Sequence, residues 1–221
     1  MGDLIINGGN IGLDVGNQQF TVRNVTINGS NTAVRMVWNW GWTCQGITIN
    51  NAQVGFEVGV DSVGGIAIID AVVRGTPVFY RSSRATTGLQ SSIVLNNVRA
   101  INVPTIVGIV GGETVLAGST GYTHVDSWVQ GNVYSGHDSK GYTQGHVTPI
   151  SKDWSLLENG RIFGKGRPMY VDHDVTQFVS VRDHGAKGDG HTDDTAALQK
   201  IFDRVCPHVS SSPSWYLTLF L

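Results

Sequence analysis

Apolar and polar positions alternate in short runs through the first half of the chain, and these runs repeat. An apolar residue followed by Asn or Asp recurs at positions 6–7, 27–28, 49–50, 69–70 and 95–96, at intervals of 20 to 26 residues. A period of two is typical of strands that bury one face. The repeat therefore predicts coils of a parallel β-solenoid, in which the five apolar-polar pairs stack one above another at a turn.

The second and third repeats align residue by residue, FTVRNVTINGSNTAV from Phe20 with WTCQGITINNAQVGF from Trp42. Strand alternation then fixes which pairs point into the core and which point to solvent. The predicted inward pairs are Phe20 with Trp42, Val22 with Cys44, Val25 with Ile47, and Ile27 with Ile49. The predicted outward pairs are Thr21 with Thr43 and Arg23 with Gln45.

The period ends before the middle of the chain. We assign residues 1–121 to the coils of a β-helix and 122–177 to a long inter-domain linker. The linker is rich in aromatic residues, which we expect to order it by packing on solenoid surfaces: Trp128, Tyr134, Tyr142, Trp154, Phe163 and Tyr170.

The segment FVSVRDHGAKGDGHTDDTAALQ, residues 178–199, predicts the start of a second domain at 178–205. Residues 178–181 form a short apolar strand, and three glycines then allow tight turns. Thr192 is the expected N-cap of a helix over 192–205. Its apolar face is Leu198, Ile201, Phe202 and Val205. The cluster Asp189, Thr192, Asp193 and Asp194 is interpreted as structural capping, since its spacing matches no EF-hand or zinc pattern, and no metal is assigned.

This segment resembles the opening motif of the pectin-lyase-like right-handed β-helices, in which it leads into the N-terminal capping helix. The predicted fold class is therefore all-β: the last coils of a first right-handed parallel β-helix, a linker, and the opening strand and capping helix of a second. Residues 206–221 have neither the solenoid period nor a helical one, and they include no Asp, Glu, Lys or Arg. We interpret them as an artefact of the gene model, with a docking tail as the alternative.

Composition narrows the function classes. Only 14% of residues are charged, the net charge is −2 and there is no basic run, so nothing favours a nucleic-acid partner. No apolar stretch is long enough to span a membrane, and Met1 is not followed by a signal peptide. Two cysteines establish no disulfide framework, and Cys44 is expected to be a small core residue.

Three stretches make the resemblance more specific: GGNIGLDVGNQQFTVRNVTI, WNWGWTCQGITINN and RIFGKGRPMY. With the order of β-helix, linker and β-helix start, they resemble the fungal family 55 glycoside hydrolases, which are exo-β-1,3-glucanases built from twin β-helices. The resemblance implies release of glucose from β-1,3-glucan with inversion, in a cleft between the helices. It also implies an extracellular, monomeric parent enzyme without a cofactor.

The resemblance places the catalytic acid, a Glu, on later coils of the second β-helix, so no catalytic residue is assigned here and the chain is expected to be an inactive internal fragment. Sugar-binding and water-holding groups come partly from the first β-helix. The candidates on the matching stretch are Gln19, Thr21, Thr43 and Gln45, with Trp38 and Trp40 as aromatic platforms. Trp42 is the weakest aromatic candidate, because the alignment turns it inward. Packing of the other tryptophans on the linker is the alternative.

Two rival functions share the fold. A pectin-degrading enzyme would need paired aspartates with a Gly-His-Gly segment, or clustered coil carboxylates for calcium, and the repeats carry Asn instead. A carbohydrate-binding β-helix without catalysis would use the same exposed aromatics, Gln and Thr. Glycan binding without turnover would separate it from a hydrolase.

Overall fold

The computed structural model describes residues 1–58, 64–82, 92–166, 168 and 170–205 of the 221-residue chain. The backbone forms two compact units, Met1–Arg167 and Pro168–Leu221. The first unit is built mostly of parallel strands, which confirms the predicted parallel β-solenoid. No helix in the described part of the chain is long and apolar enough to cross a membrane.

Successive coils of the solenoid contribute strands to two parallel faces. The first face contains β1 (Gly2–Asn7), β3 (Thr21–Asn28), β5 (Trp42–Asn50), β7 (Gly65–Ile69) and the short β8 (Val72–Arg74). The second face contains β2 (Ile11–Gln18), β4 (Thr32–Trp40), β6 (Val54–Val58) and β9 (Val78–Ser82). The long strand β10 (Ser92–Ile109) pairs in parallel with β7, β8 and β9, so it joins the two faces.

The register between β3 and β5 is the one that the sequence alignment predicts. Val22 lies beside Cys44, Val25 beside Ile47 and Ile27 beside Ile49, and all six are buried in one continuous core. The rings of Phe20 and Trp42 are 5.2 Å apart. Burial raises the pKa of the Cys44 thiol to about 12, so the prediction of a small core cysteine is also confirmed.

The predicted polar ladder is correct for three coils and wrong for the next two. Asn28 donates to Oδ1 of Asn7 and accepts from Asn50, each at 2.8 Å. The next position in the ladder is Arg74, which lies beside Asn50. Asp70 instead follows Ile69, which is the neighbour of Gln45, and Asn96 lies beside Ile69. The fourth coil reaches the ladder four residues later than the apolar-polar repeat predicts.

Left-handed backbone corners mark the true repeat. One column of residues with φ between 51° and 65° contains Asp3, Asn24, Gly46, Asp70 and Asn97. A second column follows five residues later in each coil, at Gly8, Gly29, Asn51, Gly75 and Asn102. Glycine, Asn and Asp are the residues that enter this backbone region at least cost. Each coil therefore turns at two fixed corners, and its variable length lies elsewhere.

Two long antiparallel strands follow the last parallel coil. Strand β11 (Thr114–Ser135) pairs with β10, and β12 (Asp138–His146) pairs with β11. The proposed linker over 122–177 therefore begins inside a sheet, and its boundaries stay a prediction. Trp128 is buried in the solenoid core. The expectation of packing is wrong for four of its aromatics, which are exposed: Tyr134, Tyr142, Trp154 and Phe163.

The second unit contains the helix α1 (Thr195–Val205) and two short 3₁₀ turns. The helix begins three residues after the predicted N-cap Thr192. Residues 178–181 are not a strand, because a strand needs a hydrogen-bonded neighbour and the described part of this unit offers none. Ile201 of the helix packs with Val181 and Ala186 in a small core of its own. The proposed tail at 206–221, including Cys206, lies outside the described residues.

Candidate functional site

Five of the six predicted sugar-binding residues lie around one corner of the solenoid, which we call the tryptophan corner: Gln19, Thr21, Trp38, Trp40 and Thr43. The corner joins β2 to β3 and, one coil later, β4 to β5. Gln19 and Gly41 make the turn with φ of 45° and 59°. The amide of Gln19 donates to the carbonyl of Trp40, which locks the two coils together here.

Trp38 and Trp40 point outward on both sides of Asn39, which is completely buried. One extra residue in β4, Val37, produces this arrangement: the register with β2 shifts there, and alternation resumes with the opposite sense from that of the buried Val34 and Met36. Trp38 is 40% exposed and Trp40 is 58% exposed. Each indole has a glycine beneath it, since a Cβ at Gly16 would lie 2.9 Å from Nε1 of Trp38 and one at Gly64 would lie 3.0 Å from the ring of Trp40. One face of each ring is therefore supported by backbone while the remainder faces solvent.

Trp42 points the other way, as its place in the alignment predicts. It is 3% exposed, and its Nε1 donates to the carbonyl of Asn17 at 2.7 Å. A buried indole needs such a partner for its N–H group. Trp42 is therefore a core residue that supports the tryptophan corner from inside.

The threonines and Gln45 lie on the first face of the solenoid. Thr21 and Thr43 are adjacent in the register, as are Arg23 and Gln45 two residues further along the strands. All four side chains point outward, because the residues between them, Val22 and Cys44, are in the core. Gln45 lies two residues beyond Thr43 along β5, and it lines a concavity that does not include the tryptophan corner.

That concavity, which we call the charged groove, has a volume of about 530 Å³. It lies over the corner column that contains Asn24, Gly46 and Asp70. Its charged lining residues are Asp3, Arg23, Asp70, Arg99, Glu158, Arg161 and Lys165. The volume is within the range of about 300–1,000 Å³ that small-molecule sites occupy.

One wall of the charged groove is a strap, residues 157–166, that folds back over the coils. It contains the two-residue strands β13 (Leu157–Glu158) and β14 (Arg161–Ile162), which pair with each other. The carbonyl of Gly160 accepts from Asn97 at 2.9 Å and from Arg99 at 3.1 Å. The amide of Ile162 donates to Oδ2 of Asp70 at 2.9 Å. Three solenoid side chains thus fix the strap to the solenoid.

The charges of the second face are arranged differently. Asp14, Arg35, Glu57 and Arg81 occupy adjacent register positions on successive strands. Arg35 bonds to Asp14 through two nitrogens, and Arg81 lies 2.7 Å from Glu57. The Arg35 guanidinium lowers the pKa of the Asp14 carboxyl through the hydrogen bond between them. Charges alternate along this face, and each cation has a carboxylate neighbour.

In the second unit, the carboxylates of the opening motif bond to its own backbone. Asp189 accepts from the amides of His191 and Thr192 and from the Thr192 hydroxyl. The amide of Thr192 contributes most to holding the pKa of Asp189 down at about 2. Asp194 accepts from the amides of Lys187 and Gly188, and Asp193 accepts from that of Thr195. These geometries fit a structural role for the cluster.

Sequence reasoning missed the groove residues Arg23, Asp70, Arg99, Arg161 and Lys165. The stretch RIFGKGRPMY was singled out only as part of a family resemblance, although it supplies the strap. A usable signal exists in the sequence, because Asn, Gly or Asp at both corner positions, five residues apart, would have placed Asp70 beside Asn24 and Gly46. The fold-back of the strap has no comparable local signal.

Comparisons with known proteins agree with this fold. The family model for rhamnogalacturonase A/epimerase, pectate lyase-like, matches residues 1–57 and 178–215. The chain is a pectin-lyase-like β-helix related to the family 55 glucanases. A glucan 1,3-β-glucosidase of Cochliobolus carbonum is 36% identical over 209 residues, which are 90% of this chain and 26% of that protein.

Other relatives carry different names. A probable glucan endo-1,3-β-glucosidase of Arthroderma benhamiae is 26% identical over 92% of this chain and 35% of its own length. A non-secreted LysM effector of Penicillium expansum is 30% identical over 91% of this chain and 17% of its own length. The chain thus spans only about a quarter to a third of the two glucosidases.

Proposed function

We propose that this chain forms the sugar-binding wall of an exo-acting, inverting β-1,3-glucanase. The observation that carries the proposal is the tryptophan corner, where two exposed indoles border Gln19, Thr21 and Thr43. The names of the two glucosidase relatives favour β-1,3-glucan as the substrate. The site of action proposed for the whole enzyme is extracellular, and the enzyme is a monomer.

The chemistry of the corner suits a neutral sugar. The apolar faces of pyranose rings pack on indole rings, and the hydroxyls of the sugar exchange hydrogen bonds with amides and hydroxyls. Gln19, Thr21 and Thr43 provide both donors and acceptors. None of these groups titrates near neutral pH, so their binding role is independent of pH across that range.

Inverting hydrolysis needs an acid that protonates the leaving oxygen and a base that activates water on the opposite face of the sugar. The described residues of the tryptophan corner include no carboxylate. We propose that Gln19, Thr21 and Thr43 bind sugar hydroxyls and position water, and that the general acid of the working enzyme lies outside this corner. Glu57 is unsuited to that role because it is bonded to Arg81 on the second face.

Binding of laminarin oligosaccharides tests this proposal. Trp40→Ala removes an exposed indole, and loss of about 60 Å² of buried apolar contact weakens binding about tenfold. Trp154→Ala is the matched control, because Trp154 is 83% exposed and lies in a 3₁₀ turn outside the corner. Equal affinity of the parent chain and the Trp40 variant, measured by titration calorimetry, would contradict the proposal.

The second candidate is a carbohydrate-binding solenoid without catalysis. The observation in its favour is that relatives matching almost the whole chain include proteins named as LysM effectors and not as hydrolases. Both candidates predict sensitivity of glucan binding to Trp40→Ala. They differ in the complete parent protein, where laminarin breakdown supports the hydrolase and binding without release of glucose supports the binding module.

A further inference from the structure

The charged groove contains cations that form no ion pair within the described part of the chain. Arg23, Arg161 and Lys165 line it, and no ion pair among the described residues includes any of them. On the second face, by contrast, Arg35 and Arg81 each bond to a carboxylate. The same solenoid thus neutralises its arginines on one face and leaves them available in the groove.

The carboxylates of the groove are occupied by other bonds or face solvent. Asp70 is 2% exposed, and its two oxygens accept from Asn97 and from the amide of Ile162. Oδ1 of Asp3 accepts from Nδ2 of Asn24 at 2.7 Å. Glu158 is exposed. The lining has four cationic and three carboxylate side chains, whereas the chain as a whole has a net charge of −2.

Neutral polar groups lie next to these cations. Gln45 lies directly beside Arg23 in the register, and Asn24 occupies the adjoining corner position. Equivalent positions on successive coils are separated by about 4.8 Å, so a ligand made of repeating units meets similar groups at each step. Amides that bind hydroxyls next to cations that bind carboxylates are suited to a sugar that carries both.

We propose that the charged groove binds an acidic oligosaccharide. Its uronate carboxylate pairs with Arg161 and Lys165 of the strap and with Arg23 of β3, while its hydroxyls contact Gln45 and Asn24. This site is distinct from the tryptophan corner and takes a different class of ligand from the neutral glucan proposed there. The strap, held by Asp70 and Asn97, gives the groove its second wall and its specificity for charge.

Calorimetric titration of the full chain with trigalacturonate and with laminaritriose, a neutral trisaccharide, tests the proposal. We expect trigalacturonate to bind more tightly, and to bind more weakly when NaCl is raised from about 50 mM to about 500 mM, because salt screens exposed charges. The double variant Arg161→Gln, Lys165→Gln should weaken trigalacturonate binding at least about tenfold, since each charge-assisted bond contributes strongly.

The matched control is Lys200→Gln, Arg204→Gln, which removes the same charge from helix α1 and should leave trigalacturonate binding unchanged. The Trp40→Ala variant should also bind trigalacturonate as the parent chain does. A negative result for the charged groove is therefore distinguishable from a negative result for glucan binding at the tryptophan corner. Equal affinity of the two trisaccharides for the parent chain would overturn the inference without any variant. Titration with inorganic phosphate is a further arm: groove-dependent phosphate binding without trigalacturonate binding would mean that no acidic sugar is bound, and would also overturn it.

Discussion

Asn97 donates from Nδ2 to Oδ1 of Asp70 at 2.6 Å, and the two residues occupy the same left-handed corner on adjacent coils. The second oxygen of Asp70 accepts from the amide of Ile162, and Asn97 also donates to the carbonyl of Gly160. Both side chains are buried. One pair of corner residues therefore joins two coils to each other and fixes the strap of the charged groove to both.

Asp70→Asn should release the strap. The substitution replaces one carboxylate oxygen by an NH₂ group, which must face either Nδ2 of Asn97 or the amide of Ile162, so one buried donor loses its acceptor at a cost of about 1–3 kcal/mol. We expect the Ile162 amide to exchange with deuterium much faster than in the parent chain. Asp126→Asn, at an exposed position of β11, is the control. Unchanged protection of Ile162 would show that the strap is held by other contacts.

Asn28→Ala should destabilise the solenoid more than the same substitution at an asparagine that bonds to only one other asparagine. Asn28 makes two ladder bonds, with Asn7 and with Asn50, and the two together contribute about 1–3 kcal/mol. Asn10→Ala removes only the bond from Asn31. Urea unfolding should therefore give a loss for Asn28→Ala about twice that of Asn10→Ala. Equal losses would mean that the ladder adds nothing to an ordinary turn.

The extent to which sequence predicts this fold differs between neighbouring coils. Inward and outward positions of β3 and β5 follow directly from alternation, since a slip of one residue would expose Val22 and Cys44. The predicted ladder is wrong at Asp70 because Ile69-Asp70 has the same apolar-polar pattern as Ile49-Asn50. The pair alone fits either position, and the spacing of five residues from Asp70 to Gly75, which repeats that from Gly46 to Asn51, is what distinguishes them.

The same distinction applies to the candidate site. Trp38 and Trp40 are found from sequence only through the family resemblance. Alternation from the buried Val34 and Met36 would turn both indoles inward, and a register shift at Val37 turns them outward instead. Arg161 and Lys165 are not found from sequence, because their groove forms only when the strap folds back over coils more than 50 residues earlier in the chain. The contact that directs it, between Asp70 and Ile162, spans 92 residues. No periodicity encodes a contact of that range.

Acid should weaken the second unit through Asp189. Its folded-state pKa of about 2 lies below the ordinary value of 3.8, so its stabilising contribution is complete above about pH 4 and is lost as the pH falls toward 2. The amide resonances of His191 and Thr192 should report this titration in NMR spectra. Asp189→Asn should abolish the low-pH inflection. A midpoint near 4 in the parent chain would show that the three hydrogen bonds do not persist in solution.

Cys44 should be inert in the folded chain. Its burial raises the thiol pKa to about 12, so thiolate is scarce at pH 8, and the side chain is 2% exposed. In a Cys206→Ser background, Ellman's reagent should label Cys44 only after a denaturant is added. Rapid labelling without denaturant would indicate that β5 opens readily, in conflict with its central position between β3 and β7.

This chain by itself should not release glucose from laminarin. Inversion requires two carboxyl groups about 6.5–9.5 Å apart across the sugar, and none is found among the described residues of the tryptophan corner. Of the three glutamates, Glu57 is bonded to Arg81, Glu113 is exposed in the turn before β11, and Glu158 is in the charged groove. Absence of a general acid costs a factor of about 10²–10⁴ in rate.

The measurement is glucose release by the purified chain and by its Glu57→Gln and Glu158→Gln variants. Turnover that one of these substitutions abolishes would place the acid in this chain, and would require a sugar pose away from Trp38 and Trp40.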